Sequence, residues 1–173
     1  MLMKKYLLFI ISITLLSATI YYFYKDTEIQ KGIKIDKIVV YKSQRALLAY
    51  SNGVLIKKFK ISIGKNPIGK KEIKDDFKTP EGKYFISMKG PHPSYHKYLY
   101  VSYPNKSDIL HAKALNKNPG GEILIHGIHK KYVYAGKFHR LVDWTKGCMA
   151  LTNNEIEDLY NAVNVNTPIE IYP

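Results

Sequence analysis

The 173-residue sequence contains a single cysteine, Cys148, within DWTKGCMAL (residues 143–151) and directly after Gly147. A glycine there lets the backbone pass close to a substrate and turn successive N–H groups toward an oxyanion, as attack of a thiol on a carbonyl requires. Free cysteine is also among the most buried residue types, so taken alone Cys148 reads better as packing than as a nucleophile. Its neighbours change that balance. A thiol titrates near ~8.5 and needs a base to act near neutral pH. His126 closes the apolar run EILIH (residues 122–126), is followed by Gly127, and lies 22 residues before Cys148. His139, nine residues before the cysteine, is the competing base, with His129 behind it. His92, His96 and His111 read as histidines satisfied by ordinary hydrogen bonds. An activated Cys148 is expected to take thiol reagents well below pH 8.5.

Bringing base and nucleophile together needs a strand that ends at His126 and a returning strand at Cys148, joined through a glycine-containing loop over residues 129–143. The rest of the pattern supplies such a frame. Residues 37–42 (KIVVYK), 45–50 (RALLAY) and 54–63 (VLIKKFKISI) are short apolar, β-branched runs, and Asn52-Gly53 between the last two is a strong hairpin signal. A Gly/Pro/Lys-rich loop over 65–78 ends in Thr79-Pro80-Glu81-Gly82, and strands follow at 83–88 and 97–102. Residues 107–116 predict a short helix with Ser107 as N-cap. Thr152-Asn153-Asn154-Glu155 is a capping box, and Ile156, Leu159, Tyr160 and Val163 recur at helical spacing, which predicts a helix over 153–163. Residues 168–172 close as a strand. The sum is a mainly-β domain with one C-terminal helix.

Residues 6–24 (YLLFIISITLLSATIYYFY) carry no charge over 19 positions, after Lys4 and Lys5 and before Lys25. That length crosses a bilayer as a helix, and Tyr21, Tyr22, Phe23 and Tyr24 fit an interfacial aromatic belt. Residues 1–25 therefore read as a signal anchor or a cleaved signal peptide, the anchor being favoured, with 26–35 as a short tether and 36–173 as the exported domain. The basic flank belongs in the cytoplasm, which puts that domain outside it. The net charge of +13 comes from 25 Lys and 2 Arg against 14 acids, and the part without Lys4 and Lys5 keeps +11. A lysine field with only Arg45 and Arg140 suits an anionic envelope polymer or membrane surface and not nucleic acid. One cysteine excludes an internal disulfide framework and any Cys-rich metal site.

Ile125-His126-Gly127, followed by FHRLVDWTKGCMALTNNEIEDLY (residues 138–160), resembles the catalytic core of L,D-transpeptidases of the YkuD type, in the subgroup with an HRLxDWTxGC arrangement. DDFKTPEGKYFI (residues 75–86) is similar to the same family's early glycine turn and strand, so the likeness covers residues 36–173. It implies a YkuD-like β-sandwich preceded by a single transmembrane helix. By the resemblance, Cys148 is the nucleophile that forms a thioester with a peptidoglycan stem peptide, and His126 is its base. Gly127 orients the imidazole through its carbonyl, and Gly147 and Cys148 supply oxyanion N–H groups. Thr145 holds the family's Ser/Thr position. Relatives that carry histidine before the Gly-Cys pair and arginine two positions after the cysteine differ here, where Lys146 and Ala150 stand. Arg140 is the candidate substitute anchor for a substrate carboxylate, with His139 and Lys146 beside it in the substrate groove. Asp143 and Trp144 either line that groove or brace the loop, and the alternative for His139 and Arg140 is a structural hydrogen-bonding pair.

The chemistry so implied needs no cofactor and no metal. Its partners are peptidoglycan stems, with an anionic envelope polymer and the membrane as surroundings. Water in place of an acceptor amine turns the same site into an L,D-carboxypeptidase or a crosslink hydrolase. Two more distant alternatives are a metal-dependent hydrolase on His126, His129, His139 and Asp143, and a catalytically silent wall-binding module.

Overall fold

The structure is a computed structural model that describes residues 2–173. Helix α1 (Leu2–Phe23) is followed by β1 (Lys37–Tyr41), β2 (Ala46–Ser51), β3 (Val54–Lys60), β4 (Gly82–His92) and β5 (His96–Val101). Helix α2 (Lys106–Ala114), β6 (Leu124–His126), a 3-10 strap (Lys130–Leu141), β7 (Met149–Ala150), α3 (Asn153–Ala162) and β8 (Pro168–Tyr172) complete the chain. Helix α1 is apolar on every side and exposed along its length, as expected of a candidate membrane span and not of a core helix.

The strands form one sheet in the order β3-β2-β1-β8-β4-β5-β6-β7. Pairing is antiparallel except for β1 with β8 and β6 with β7. Strand β4 belongs to both halves: Gly82 to Phe85 pair with β8, and from Ile86 onward it pairs with β5 through an irregularity between Ile86 and Met88. A bulge bends a strand and increases its twist, which is how one long strand turns the sheet over on itself. The expected YkuD-like β architecture is present, its two faces made by one sheet curled on itself. Its two outer strands nearly meet, because Ser62, just past β3, bridges Ala150 of β7 through N–H···O bonds of 3.1 and 2.8 Å.

The core lies inside the curl. Alternate residues Ile38 and Val40, Leu99 and Val101, and Ile169 and Ile171 point into it, as the two-residue period of a half-buried strand requires. Helix α3 covers one side with Ile156, Leu159 and Ala162, and its Thr152/Glu155 capping box is present as the sequence predicts. The hairpin at Asn52-Gly53 also forms, with φ of 50° and 77°, the left-handed pair that a two-residue turn demands. One expectation is corrected: α2 is capped by Asn105, not Ser107. The Asn105 side chain accepts the Asp108 N–H, and Asp108 returns the bond, a box that the Ser-led reading missed by two residues.

The loop between β3 and β4 has no regular structure and is held by two buried lysines. Lys42 donates to the Gly69 carbonyl at 2.6 Å and to Glu81 at 2.7 Å, and Lys71 bonds Asp76 at 2.8 Å and the Ile73 carbonyl at 3.0 Å. Buried ammonium groups are tolerated because each meets a carboxylate and a carbonyl.

Candidate active site

Strands β6 and β7 run parallel with Ile125 opposite Met149 and His126 opposite Ala150. Ile125 and Met149 are core residues, so the alternation of the pleat turns His126 and Cys148 onto the other face of adjoining strands, two register positions apart. The strand end and the returning strand of the sequence expectation are both present, and their register sets the two residues on one face of the sheet. The loop between them is the 3-10 strap, two helical pieces broken at Gly136.

The His126 ring is buried, and its Nδ1 lies 2.6 Å from the Gly127 carbonyl oxygen. A carbonyl only accepts, so Nδ1 carries the proton and Nε2 presents its lone pair. Gly127 is required for this turn. A Cβ at that position would sit 2.6 Å from Asn153 Oδ1 and 2.8 Å from the Tyr95 carbonyl, which accepts the Gly127 N–H. Burial holds the imidazole down to about 4, against the pull of the Gly127 bond, with His92 and His129 pushing the same way as burial.

Cys148 is half-buried, with Sγ 3.4 Å from both the Leu124 N–H and the Glu122 carbonyl. Burial pushes the thiol up to about 11. The Leu124 N–H and Lys71 favour the thiolate and the Glu122 carboxylate disfavours it. In this resting arrangement both groups are uncharged, a neutral thiol and a neutral imidazole, because burial disfavours the charged form of each, and such burial does not by itself favour a thiol ionised well below pH 8.5.

The oxyanion donors also need correction. The Gly147 N–H is taken by Thr145 Oγ1 at 3.1 Å, and the same hydroxyl donates to the Cys148 carbonyl at 2.7 Å. Thr145 thereby folds residues 145–148 into a tight turn. Gly147 adopts φ +128° with the Lys78 carbonyl 2.6 Å from where a Cβ would stand, so this glycine serves the turn and not the oxyanion. Among the described residues the Cys148 N–H has no acceptor, and it remains available to a developing negative charge.

Arg140 does not reach into an open groove. Its guanidinium is buried and pairs with Glu155, the carboxylate that also accepts the Thr152 N–H at 3.0 Å. His139, buried beside it, accepts the Trp144 Nε1–H at 3.3 Å through Nδ1, while Ser62 Oγ donates to its carbonyl at 2.9 Å. Burial, reinforced by Arg140, holds that imidazole down to about 3. Trp144 links the two histidines, lying edge-on to both at ring distances of 5.8 and 6.3 Å. Of the expected substrate-binding residues, Lys146 is the exposed one.

The residues of a metal reading are engaged elsewhere. His129 Nδ1 accepts the Lys131 N–H, and Asp143 accepts bonds from Arg45 and the Ile63 N–H. His96 and His111 bond Glu157 and Glu72 on the surface, and His92 Nδ1 caps the Ser94 and Tyr95 amides, in keeping with their ordinary roles. Tyr95 was not legible as a site residue. Its ring lies tilted against His126 at 4.3 Å and covers it, yet a tyrosine in a Pro-flanked turn carries no signal of that contact. Asn153, whose Oδ1 accepts the Ile128 N–H, was equally hidden.

Comparison with known proteins follows the same line. The family model for the YkuD L,D-transpeptidase catalytic domain matches residues 35–171. The chain is 26% identical over 149 residues to YafK of Escherichia coli (strain K12), covering 79% of this chain and 53% of that protein. It therefore spans about half the length of the curated relatives it matches. The helical cell shape determining protein Pgp2 from Campylobacter jejuni superposes with a TM-score of 0.58 at 25% identity, over 85% of this chain and 51% of that one. Bd1075 of Bdellovibrio bacteriovorus superposes with a TM-score of 0.56 at 27% identity, over 84% and 50%.

Proposed function

The chain belongs to the L,D-transpeptidase catalytic-domain family, and from that premise we propose that it is an acyltransferase acting on peptidoglycan stem peptides through a Cys148 thioester. The observation that carries this reading is the His126 Nδ1 bond to the Gly127 carbonyl, which leaves Nε2 free to take a proton on the face that also carries Cys148.

In the first half-reaction, Sγ attacks the carbonyl carbon of the amide that joins the terminal D-residue of a stem tetrapeptide to the residue before it, and the thiol proton passes to His126 Nε2. The Cys148 N–H stabilises the oxyanion. The C–N bond then breaks, the imidazolium returns its proton to the departing amine, and a thioester remains. In the second, an acceptor amine attacks the thioester, His126 takes its proton, and Sγ leaves. Water in that role gives the carboxypeptidase or crosslink-hydrolase reaction from the same site. With Arg140 committed to Glu155 and Ala150 in place of the relatives' arginine, the exposed ammonium of Lys146 is the group left to meet the donor carboxylate.

Membership in a bacterial wall-enzyme family together with an apolar N-terminal helix supports a reading in which the enzyme works at the cell envelope, α1 serving as anchor and the basic domain facing the wall. Pgp2 is described as determining helical cell shape, and remodelling of crosslinks by this chain would act on the same property.

The test is the mass of the intact protein after incubation with a carbapenem, a β-lactam class that acylates relatives. A single adduct on Cys148 is expected, absent in Cys148→Ala, and formed far more slowly in His126→Ala than in His139→Ala. No adduct on the native chain, or the reverse order of the histidines, overturns the assignment.

A further inference from the structure

The strap that joins base to nucleophile carries an apolar surface that neither the core nor the site uses. Tyr132, Val133 and Tyr134 are exposed, Tyr134 at 75%, and the preceding Lys130 and Lys131 are exposed cations. An isolated exposed apolar side chain needs no explanation, but a run of three beside two lysines on a short segment marks an interaction surface.

The contact between strap and α1 says what that surface meets. The Tyr22 hydroxyl donates to the Tyr134 carbonyl at 2.9 Å, and Phe138 packs against the rings of Tyr21 and Tyr22 at 5.9 and 5.6 Å. Lys137 pairs with Asp26 at 2.7 Å just beyond the helix. Gly136 makes the approach possible: it has φ +48°, and a Cβ there would lie 2.6 Å from the Tyr22 ring. Tyr21 and Tyr22 stand in the last turn of α1, which for a spanning helix lies at the membrane–water interface, since ~20 apolar residues fill the hydrocarbon. A segment docked on that turn sits at headgroup depth.

We propose that the strap is a lipid-docking element: Tyr132, Val133 and Tyr134 enter the interface of the leaflet from which α1 emerges, with Lys130 and Lys131 on its anionic phosphates. Aromatic and aliphatic side chains next to lysines are the composition of segments that lie in the interfacial plane. The consequence is that the strap, whose two ends lead to His126 and Cys148, is held against the bilayer and the site opens close to the membrane surface. The proposal rests on α1 spanning the bilayer.

The test places nitroxide labels on the full chain in a Cys148→Ala background, reconstituted in vesicles of phosphatidylcholine with phosphatidylglycerol. Labels go at Tyr134→Cys, at Val133→Cys as a second strap position, at Val54→Cys at the exposed start of β3, and at Ile10→Cys within α1. The ratio of oxygen to nickel-chelate collisions measures depth. Both strap labels are expected to exceed position 54 by about threefold or more, and to lose part of that margin in pure phosphatidylcholine. A lipid-like ratio at 10 with water-like ratios at both strap positions overturns the docking and leaves the anchor intact. A water-like ratio at 10 as well removes both. Strap labels shielded from oxygen and nickel alike would mean that protein covers the face, which also overturns the proposal.

Discussion

Cys148 and His126 are each held in the uncharged form, at about 11 and about 4, so between those values neither side chain is ionised in the free protein. Alkylation of Cys148 by iodoacetamide should accordingly keep rising with pH through 9, with no plateau near neutrality; a plateau below pH 8 would show an ion pair at rest. In the proposed reaction, proton transfer then accompanies attack on the bound carbonyl, and the thiolate never has to exist alone in a site that desolvates it. The proposed nucleophile and base carry a sequence signal, a strand-ending His-Gly and a Gly-Cys turn, because both depend on local backbone geometry. Their protonation carries none. It depends on what covers them, and Tyr95 and Trp144, whose rings lie 4.3 and 5.8 Å from His126, come from separate parts of the chain.

At the level of elements, one carboxylate joins the strap to α3. Glu155 closes the helix capping box through Thr152 and also holds the buried Arg140 guanidinium. Loss of one partner of a buried ion pair leaves the other without compensation, so Arg140→Met and Glu155→Gln should each lower unfolding free energy by about 3–5 kcal/mol. Urea denaturation measures this, and Arg140→Met combined with Glu155→Leu should recover part of the loss. A cost under 1 kcal/mol for either single change would mean that Arg140 is free for substrate after all. The capping box itself was plain in the sequence, since its residues are three apart. The second role of Glu155 was not, because its partner lies in an irregular 3-10 segment for which no periodicity exists. The strands and the Asn52-Gly53 hairpin were legible for the same local reason, whereas α2's true cap at Asn105 was obscured by Ser107, an equally good capping type two residues on.

Across the whole molecule, the two buried histidines tie stability to pH. His126 and His139 take up a proton near 6.5 when unfolded but only near 4 and 3 when folded. Below 6.5 the unfolded chain therefore binds more protons, and the folded state loses stability as pH falls, for His126 down to about 4 and for His139 down to about 3. Above 6.5 this contribution is complete. The urea midpoint should drop steadily between pH 6.5 and 4 as the unfolding free energy falls by an amount on the order of several kcal/mol, and His139→Gln should flatten the slope. An unchanged midpoint over that interval would show that the imidazoles are hydrated.

The bridge between Ser62 and Ala150 ties the edge of the first hairpin to the two-residue strand beside the thiol, across most of the domain's sequence. Contacts of such high contact order form late, since the entropy of closing a long loop must be met before they stabilise anything. The site is thus assembled last. Until those two distant segments meet, the thiol is solvated and set against no base, and closing the curl is what carries it into the desolvated surroundings that keep it neutral.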